Sequence, residues 1–308
     1  MAEAGMQLHC DLASSGIMGF VEVVKSMRFI RNVFNETLQR LKQRPPDCLV
    51  LIDYPGFNMR LAAKAKKMGI PVVYYISPQV WAWKPKRVYK IAAAADKVLV
   101  IFPFEKSLYE PTGVACEWVG HPLLDHIAAT PVEGCFAGKC VIGLLPGSRG
   151  QEVQRLLPPM LEVARQLRMD FPDARFIAPC VDELRAQQIR GLVGDFPLEV
   201  VVGQFYEVLH AARFCLVASG TATLETALFN VPMVVMYKVA PLTYQIARRL
   251  VKTPYISLVN ILAKRAVVPE FIQGMANPEV VVPVARELVG DTPRRSTMLA
   301  DLAGIRAM

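Results

Sequence analysis

The sequence lacks any apolar stretch of the roughly 20 residues that cross a bilayer, because charged or polar side chains interrupt every candidate. Its first residues, MAEAGMQLHCDLA, show no basic segment running into an apolar one, so no secretory signal is legible. Cysteine pairs at CxxC or zinc-like spacing are also missing. The seven cysteines are scattered and read as reduced thiols of a cytosolic protein. Of only four histidines, none lies at ligand spacing from His121, which argues against a metal site. Charged residues are 20% of the chain against 53% hydrophobic, which excludes wholesale disorder and implies a large core. At 308 residues the chain exceeds what one core usually supports, so two domains are expected.

Acidic residues fall short of basic ones, 27 against 35, for a formal net charge of +8. Nucleic acid, an anionic membrane surface or phosphorylated substrates would each suit that surplus, and net charge does not choose among them.

What is present is a repeated strand, turn and helix. Leu49-Val50-Leu51-Ile52 has the continuous apolar character of a strand buried on both faces, and it ends in a carboxylate, Asp53, before the turn Tyr54-Pro55-Gly56. FNMRLAAKAKKMG (57–69) alternates apolar and basic residues at helical spacing, and Gly69 closes it as a C-cap would. PVVYYISPQV (71–80) reads as a strand, KPKRVYKIAAAA (84–95) as a helix and DKVLVIFPF (96–104) as a strand. The stretch 126–139 is rich in small residues and turn formers and marks a junction, giving domains of 1–138 and 139–308. A second series follows: strands in 140–148, 174–180, 198–203, 213–221 and 231–238, with helices in 152–172 and 220–230. Such alternation predicts an α/β fold of two Rossmann-like domains facing a cleft, with ligands beyond the carboxyl ends of the strands.

Several stretches at strand ends carry chemistry. In LLPGSRGQEVQRLL (144–157), Gly147 and Ser148 make a tight turn into a helix whose N-terminus suits an anion, and Arg149 adds a guanidinium fit for paired phosphate oxygens. An ordinary turn with an exposed arginine is the plainer reading. It is not the lysine-containing phosphate loop of NTPases, and no kinase signature is evident. LVASGTATLETALF (216–229) repeats the arrangement with Ser219, Gly220 and Thr221; Glu225 either accepts a ribose diol or serves as a helix cap and dipole partner. Two such loops in one domain favour a nucleotide diphosphate. ISPQVWAWKPKRVYKI (76–91) interleaves Trp81 and Trp83 with Lys84, Lys86, Arg87 and Lys90. It could stack bases, form a sugar or lipid platform, or pack as a wedge. His121 in EWVGHPLLD (117–125) is a structural group or a phosphate or sugar contact.

In this order, these segments resemble the lipid-A-disaccharide synthase family, inverting glycosyltransferases of the two-Rossmann-domain B type (GT-B). The resemblance runs through IMGFVEVV (17–24), LIDYPGFNMRLA (51–62), YYISPQVWAWKPKRVYKI (74–91), FPFEKSLYE (102–110), VGHPLLD (119–125), LLPGSRGQEV (144–153), ASGTATLETAL (218–228) and VKTPYISLVNILAKRAVVPEFIQ (251–273), which contains Asn260. It implies transfer from UDP-2,3-diacylglucosamine to 2,3-diacylglucosamine 1-phosphate (lipid X), giving a β-1,6-linked disaccharide 1-phosphate and UDP. It also implies action at the cytoplasmic face of the inner membrane, with no cofactor and no metal. The donor's nucleotide end goes to the C-terminal domain. By the resemblance Asp53 is the catalytic base and Arg149 the stabiliser of the departing diphosphate. Gly147, Ser148, Ser219, Gly220, Thr221, Glu225, Asn260, His121, Trp83, Lys86 and Arg87 are the substrate-binding candidates.

The chain departs from the family pattern at its start. The expected strand, the GExSGD loop and a further βα step are not there, so the N-terminal domain is expected to lack its first βα unit and to expose an apolar flank. Another UDP-sugar enzyme of the same fold, such as an epimerase or a cell-wall hexosaminyl transferase, is the nearest alternative; an inactive fragment is another. GFVEVVKSMRFIRNVF (19–34), with Lys25, Arg28 and Arg31, reads either as a membrane-surface element or as an amphipathic core helix. No nucleic-acid module signature is present, so nucleic acid is not among the expected partners. A homodimer is left open.

Overall fold

The computed structural model describes residues 5–8, 10, 27–82, 85–130, 136, 140–250 and 253–307. The chain forms two compact units, Met1–Pro122 and Leu123–Met308.

In the first unit, β1 (Leu49–Ile52), β2 (Val72–Tyr75), β3 (Lys97–Val100) and β4 (Ala115–Trp118) pair in parallel, in the order β1-β2-β3-β4. Parallel neighbours need crossovers, supplied by α2 (Pro55–Lys67), α3 (Val88–Ala94) and α4 (Glu105–Tyr109); α1 (Met27–Gln43) precedes β1. Helix α2 shows how the sequence selects the element. Phe57, Leu61, Ala62 and Ala65 form its buried stripe, while Lys64, Lys66 and Lys67 sit in the last turn, where the helix dipole favours cations. Its end is a Schellman closure: Gly69, at φ +75°, donates to the Lys66 carbonyl and Ile70 to that of Ala65, each at 3.1 Å.

The core of this unit joins Leu51, Val72, Tyr74, Val98 and Val100 on one sheet face to Phe57, Leu61 and Ile91. Here one expectation needs correcting. The run 49–52 is not buried on both faces: Val50 is 56% exposed, and Leu49 and Ile52 are only half-buried. Position explains it, because β1 is an edge strand among the described residues. Its outward face also continues across the sheet to an ion pair, Lys97 with Glu117 at 2.6 Å. Strand β4 went unread in the sequence for a related reason: ACEW is mostly exposed and carries no apolar run.

Among the described residues of this unit, Glu105 is the buried charged group, 1% exposed. Its carboxylate accepts the Phe102 N–H at 3.1 Å and the Trp81 indole N–H at 3.2 Å. Burial nevertheless wins, and pushes its pKa from 4.5 up to about 6. The folded state therefore holds this proton more tightly than the unfolded chain does. Stability should fall as pH rises through that window, by about 2 kcal/mol at most for this group. Chemical denaturation from pH 4.5 to 7 should show the wild type losing ground to Glu105→Gln over that interval. Parallel curves would contradict the assignment.

In the second unit, β5 (Val141–Leu145), β6 (Arg175–Cys180), β7 (Leu198–Val202), β8 (Ala212–Ala218), β9 (Met233–Tyr237) and β10 (Glu270–Ile272) form an all-parallel sheet in the order β10-β9-β8-β5-β6-β7. The helices are α5 (Pro122–Ala129), α6 (Gly150–Asp170), α7 (Glu183–Val193), α8 (Phe205–Ala211), α9 (Thr221–Leu228), α10 (Pro241–Leu250), α11 (Leu258–Ala263), α12 (Pro278–Val289) and α13 (Pro293–Ala307). Here the continuous apolar runs do mean burial on both faces: every residue of β5 is buried. The order also sets the site. Successive strands run outward from β5 through β6 to β7, then return to its other side as β8, so β5 and β8 flank the point where the direction reverses.

Candidate functional site

At the carboxyl ends of β5 and β8 lies a pocket of about 580 Å³ in the second unit. Loops 145–149, 179–181, 203–207 and 218–222 line it, with Glu152, Glu225, His126 and Thr130. Its size suits a ligand of nucleotide dimensions.

The first loop turns at Gly147, whose φ of +106° is one most side chains avoid. A Cβ there would also stand 2.5 Å from the Glu152 carboxylate, so glycine is required twice over. That carboxylate accepts the Arg149 backbone N–H at 3.3 Å and its guanidinium at 2.8 Å, holding the loop against the first turn of α6. Ser148 and Arg149 are exposed beside the N–H groups that open the helix.

The second loop enters α9 through Gly220 as N-cap, with no side-chain cap. Ser219 donates its hydroxyl to the Ile256 carbonyl at 2.9 Å and retains its acceptor capacity toward the pocket loop. Glu225 faces the pocket but does not cap the helix; it accepts the Tyr206 hydroxyl at 3.0 Å. Burial raises the pKa of Glu225, while the Tyr206 bond and nearby His126 act against the rise. Tyr206 is fixed by rings, stacked on Phe229 at 5.5 Å and edge-on to His126 at 5.6 Å. Neither Tyr206 nor His126 stands out in the sequence. The usable signal for Tyr206 was its place just past a strand's carboxyl end, in the same sheet as the two glycine loops.

Asp53 lies in the first unit, exposed at the carboxyl end of β1. Tyr54 is the N-cap of α2, and its side chain makes no cap hydrogen bond. Asp53 and Tyr54 are both left-handed, with φ of 45° and 43°, and Ile76 beyond β2 has φ 57°. Such residues cost on the order of 1–3 kcal/mol each and gather at functional sites.

Other candidates are dispersed. His121, half-buried, stacks obliquely on Phe102 at 5.5 Å, and burial lowers its pKa. Phe102, Phe104 and Trp81 continue that ring cluster. Lys86 and Arg87 are exposed in a short 3-10 turn, 85–87. Trp83, Lys84 and the segment 11–26 lie outside the described residues. The structure does not bring Asn260 to the pocket. It is 1% exposed, and all its hydrogen-bonding capacity is used: its oxygen accepts Val267 and Val268 N–H, and its nitrogen donates to the Val268 carbonyl and to Glu270. Glu270 also accepts Ile256 and Ser257 N–H at 2.9 Å, so this network holds the segment on which Ser219 rests.

Comparison with known proteins bears on the family and the fold. The family described as Lipid-A-disaccharide synthetase matches residues 1–300. The lipid-A-disaccharide synthase of Anaeromyxobacter sp. (strain K) is 42% identical over 316 aligned positions, spanning 100% of this chain and 82% of the relative. That of Geobacter sulfurreducens is 41% identical, spanning 99% and 82%. Among solved structures, the UDP-GlcNAc 2-epimerase from Neisseria meningitidis, bound to UDP-GlcNAc, is similar with a TM-score of 0.62 at 13% identity, over 94% of this chain and 80% of that one. The UDP-GlcNAc 2-epimerase of Methanocaldococcus jannaschii gives 0.52 at 13%, over 86% and 76%. At such identity these two speak for the fold alone, two Rossmann-like domains of the GT-B type. The match in sequence across nearly the whole length goes further: the chain belongs to the lipid-A-disaccharide synthase family of glycosyltransferases.

Proposed function

We propose that the chain transfers the diacylglucosaminyl group of UDP-2,3-diacylglucosamine to the 6-hydroxyl of 2,3-diacylglucosamine 1-phosphate, releasing UDP. The observation that carries the nucleotide half of this reading is the pair of helix N-termini, α6 and α9, opening on one pocket that also holds Glu225. N–H groups of both first turns and the guanidinium of Arg149 suit a diphosphate. Glu225, one oxygen already engaged by Tyr206, suits a ribose hydroxyl with the other.

In the transfer, the acceptor oxygen bonds to the anomeric carbon as the bond from that carbon to the diphosphate breaks. Asp53 takes the hydroxyl proton, and the negative charge departs on UDP. One displacement inverts the anomeric centre and needs no second carboxylate as nucleophile. Arg149, held by Glu152 at 2.8 Å, brings a fixed positive charge suited to the departing diphosphate.

The acceptor is an anionic lipid, and the cytoplasmic face of the inner membrane is where it would be met. Met27 and Phe29 on α1 are 51% and 43% exposed. Beside α1, Arg60, Lys64 and Lys67 surround a groove with Phe34, a mixture suited to an anionic surface.

The direct test supplies both lipids and measures disaccharide 1-phosphate against UDP in equal amounts. Epimerised UDP-GlcNAc with no disaccharide would instead support the epimerase alternative. Glu225→Gln tests the ribose assignment. UDP binding by calorimetry should weaken several-fold while the melting temperature holds. A lower melting temperature with unchanged UDP affinity would make Glu225 a structural group.

A further inference from the structure

The main-chain carbonyl of Asp53 receives two side-chain donors from different elements. Tyr74, on β2 and fully buried, donates its hydroxyl at 2.8 Å. Asn58, in the first turns of α2, donates its carboxamide at 2.9 Å and shares it with the Ile52 carbonyl, also at 2.9 Å. On the amino side, the Asp53 N–H continues the sheet ladder to Tyr75 at 3.0 Å. The peptide groups on both sides of one exposed carboxylate are thus fastened. They flank Asp53, the first of two consecutive left-handed residues that are not glycine, where the backbone would otherwise relax.

A buried tyrosine hydroxyl needs a hydrogen-bond partner. This one reaches across to the residue just past the neighbouring strand, where regular pairing has ended. We propose that Tyr74 and Asn58 are positioning residues that hold the left-handed turn at 53–54 and thereby aim the Asp53 carboxylate at its proton. The proposal rests on the reading of Asp53 as the base. Burial, the Asp53 carboxylate and Tyr109 all raise the Tyr74 pKa, which keeps its hydroxyl a donor across the working pH range.

The test uses Tyr74→Phe and Asn58→Ala, alone and in the Asp53→Asn background, with rates expressed per folded molecule. Each single variant should lower kcat about tenfold, the effect of losing one hydrogen bond on the geometry of a reacting group. KM for the donor and UDP affinity should not change, because the nucleotide pocket belongs to the other unit. In the Asp53→Asn background neither substitution should cost anything further. Asn58→Ala sits near the surface and keeps the test open if Tyr74→Phe folds poorly. Full kcat in both folded single variants, with Asp53→Asn inactive, overturns the positioning role and leaves the base assignment standing. An equal loss in both backgrounds overturns it as well, since the two residues would then act elsewhere. Normal turnover by Asp53→Asn overturns the base assignment and this proposal with it.

Discussion

Asp53→Asn should lower turnover by roughly 10² to 10⁴ per folded molecule, the span usual for loss of a general base. The substitution keeps the side chain's volume and cannot take a proton. It should also fold, because asparagine tolerates the left-handed region at least as well as aspartate, and Asp53 sits there with φ 45°. UDP affinity should stay at the wild-type value, since every residue lining the nucleotide pocket lies between His126 and Glu225. A folded variant that keeps most of its activity removes Asp53 from the chemistry. The readings are rate per folded molecule, with circular dichroism for the fold and calorimetry for UDP.

Arg149→Ala is expected to cost about 10² to 10³ in turnover, the scale seen when one donor to a developing charge is removed. Arg149→Lys should recover only part of this and remain about tenfold or more below wild type, since an ammonium cannot present a planar fork to two oxygens. The structure adds a condition. Glu152 now holds the guanidinium at 2.8 Å and also the Arg149 N–H, and its carboxylate lies against Gly147. Removing the arginine therefore leaves a carboxylate beside the phosphate loop without its counter-charge, and UDP affinity should fall along with turnover. Arg149→Lys retains a positive charge there, so its affinity should fall less than its rate. If both variants turn over normally with UDP-diacylglucosamine, Arg149 has no part in diphosphate departure.

Local pattern and tertiary context each account for a different part of this protein. Phe57, Leu61, Ala62 and Ala65 announce α2 by spacing alone, and Gly69 announces its end, because helical periodicity and a left-handed cap are properties of neighbouring residues. Burial of a strand's second face is not such a property. The apolar runs at 49–52 and 141–145 look alike in sequence, yet Val50 is 56% exposed while β5 is buried throughout. Edge or centre is set by which strands pair, and pairing is long-range.

The same division runs through the site. Gly147, Ser148 and Arg149, like Ser219, Gly220 and Thr221, were legible because a strand, a glycine turn and a helix start form one continuous segment. That the two loops open on one pocket was decided by the sheet, which places β8 directly beside β5. Asn260 carried a motif signal but was claimed by the core, where its four hydrogen bonds close a buried turn. Tyr206 gave no motif signal and Tyr74 read only as part of a strand within a longer family stretch; each meets its partner, Glu225 or Asp53, only in the folded chain. The sequence by itself determined the alternation of strands and helices, apart from β4, together with the chemistry available at the strand ends it showed and the family. Tertiary structure alone decided which strand ends adjoin, which polar groups are spent on one another, and how the backbone at Asp53 is held. Side-chain type and spacing act over a few residues, whereas packing and hydrogen-bond closure join residues that only the folded chain brings within reach.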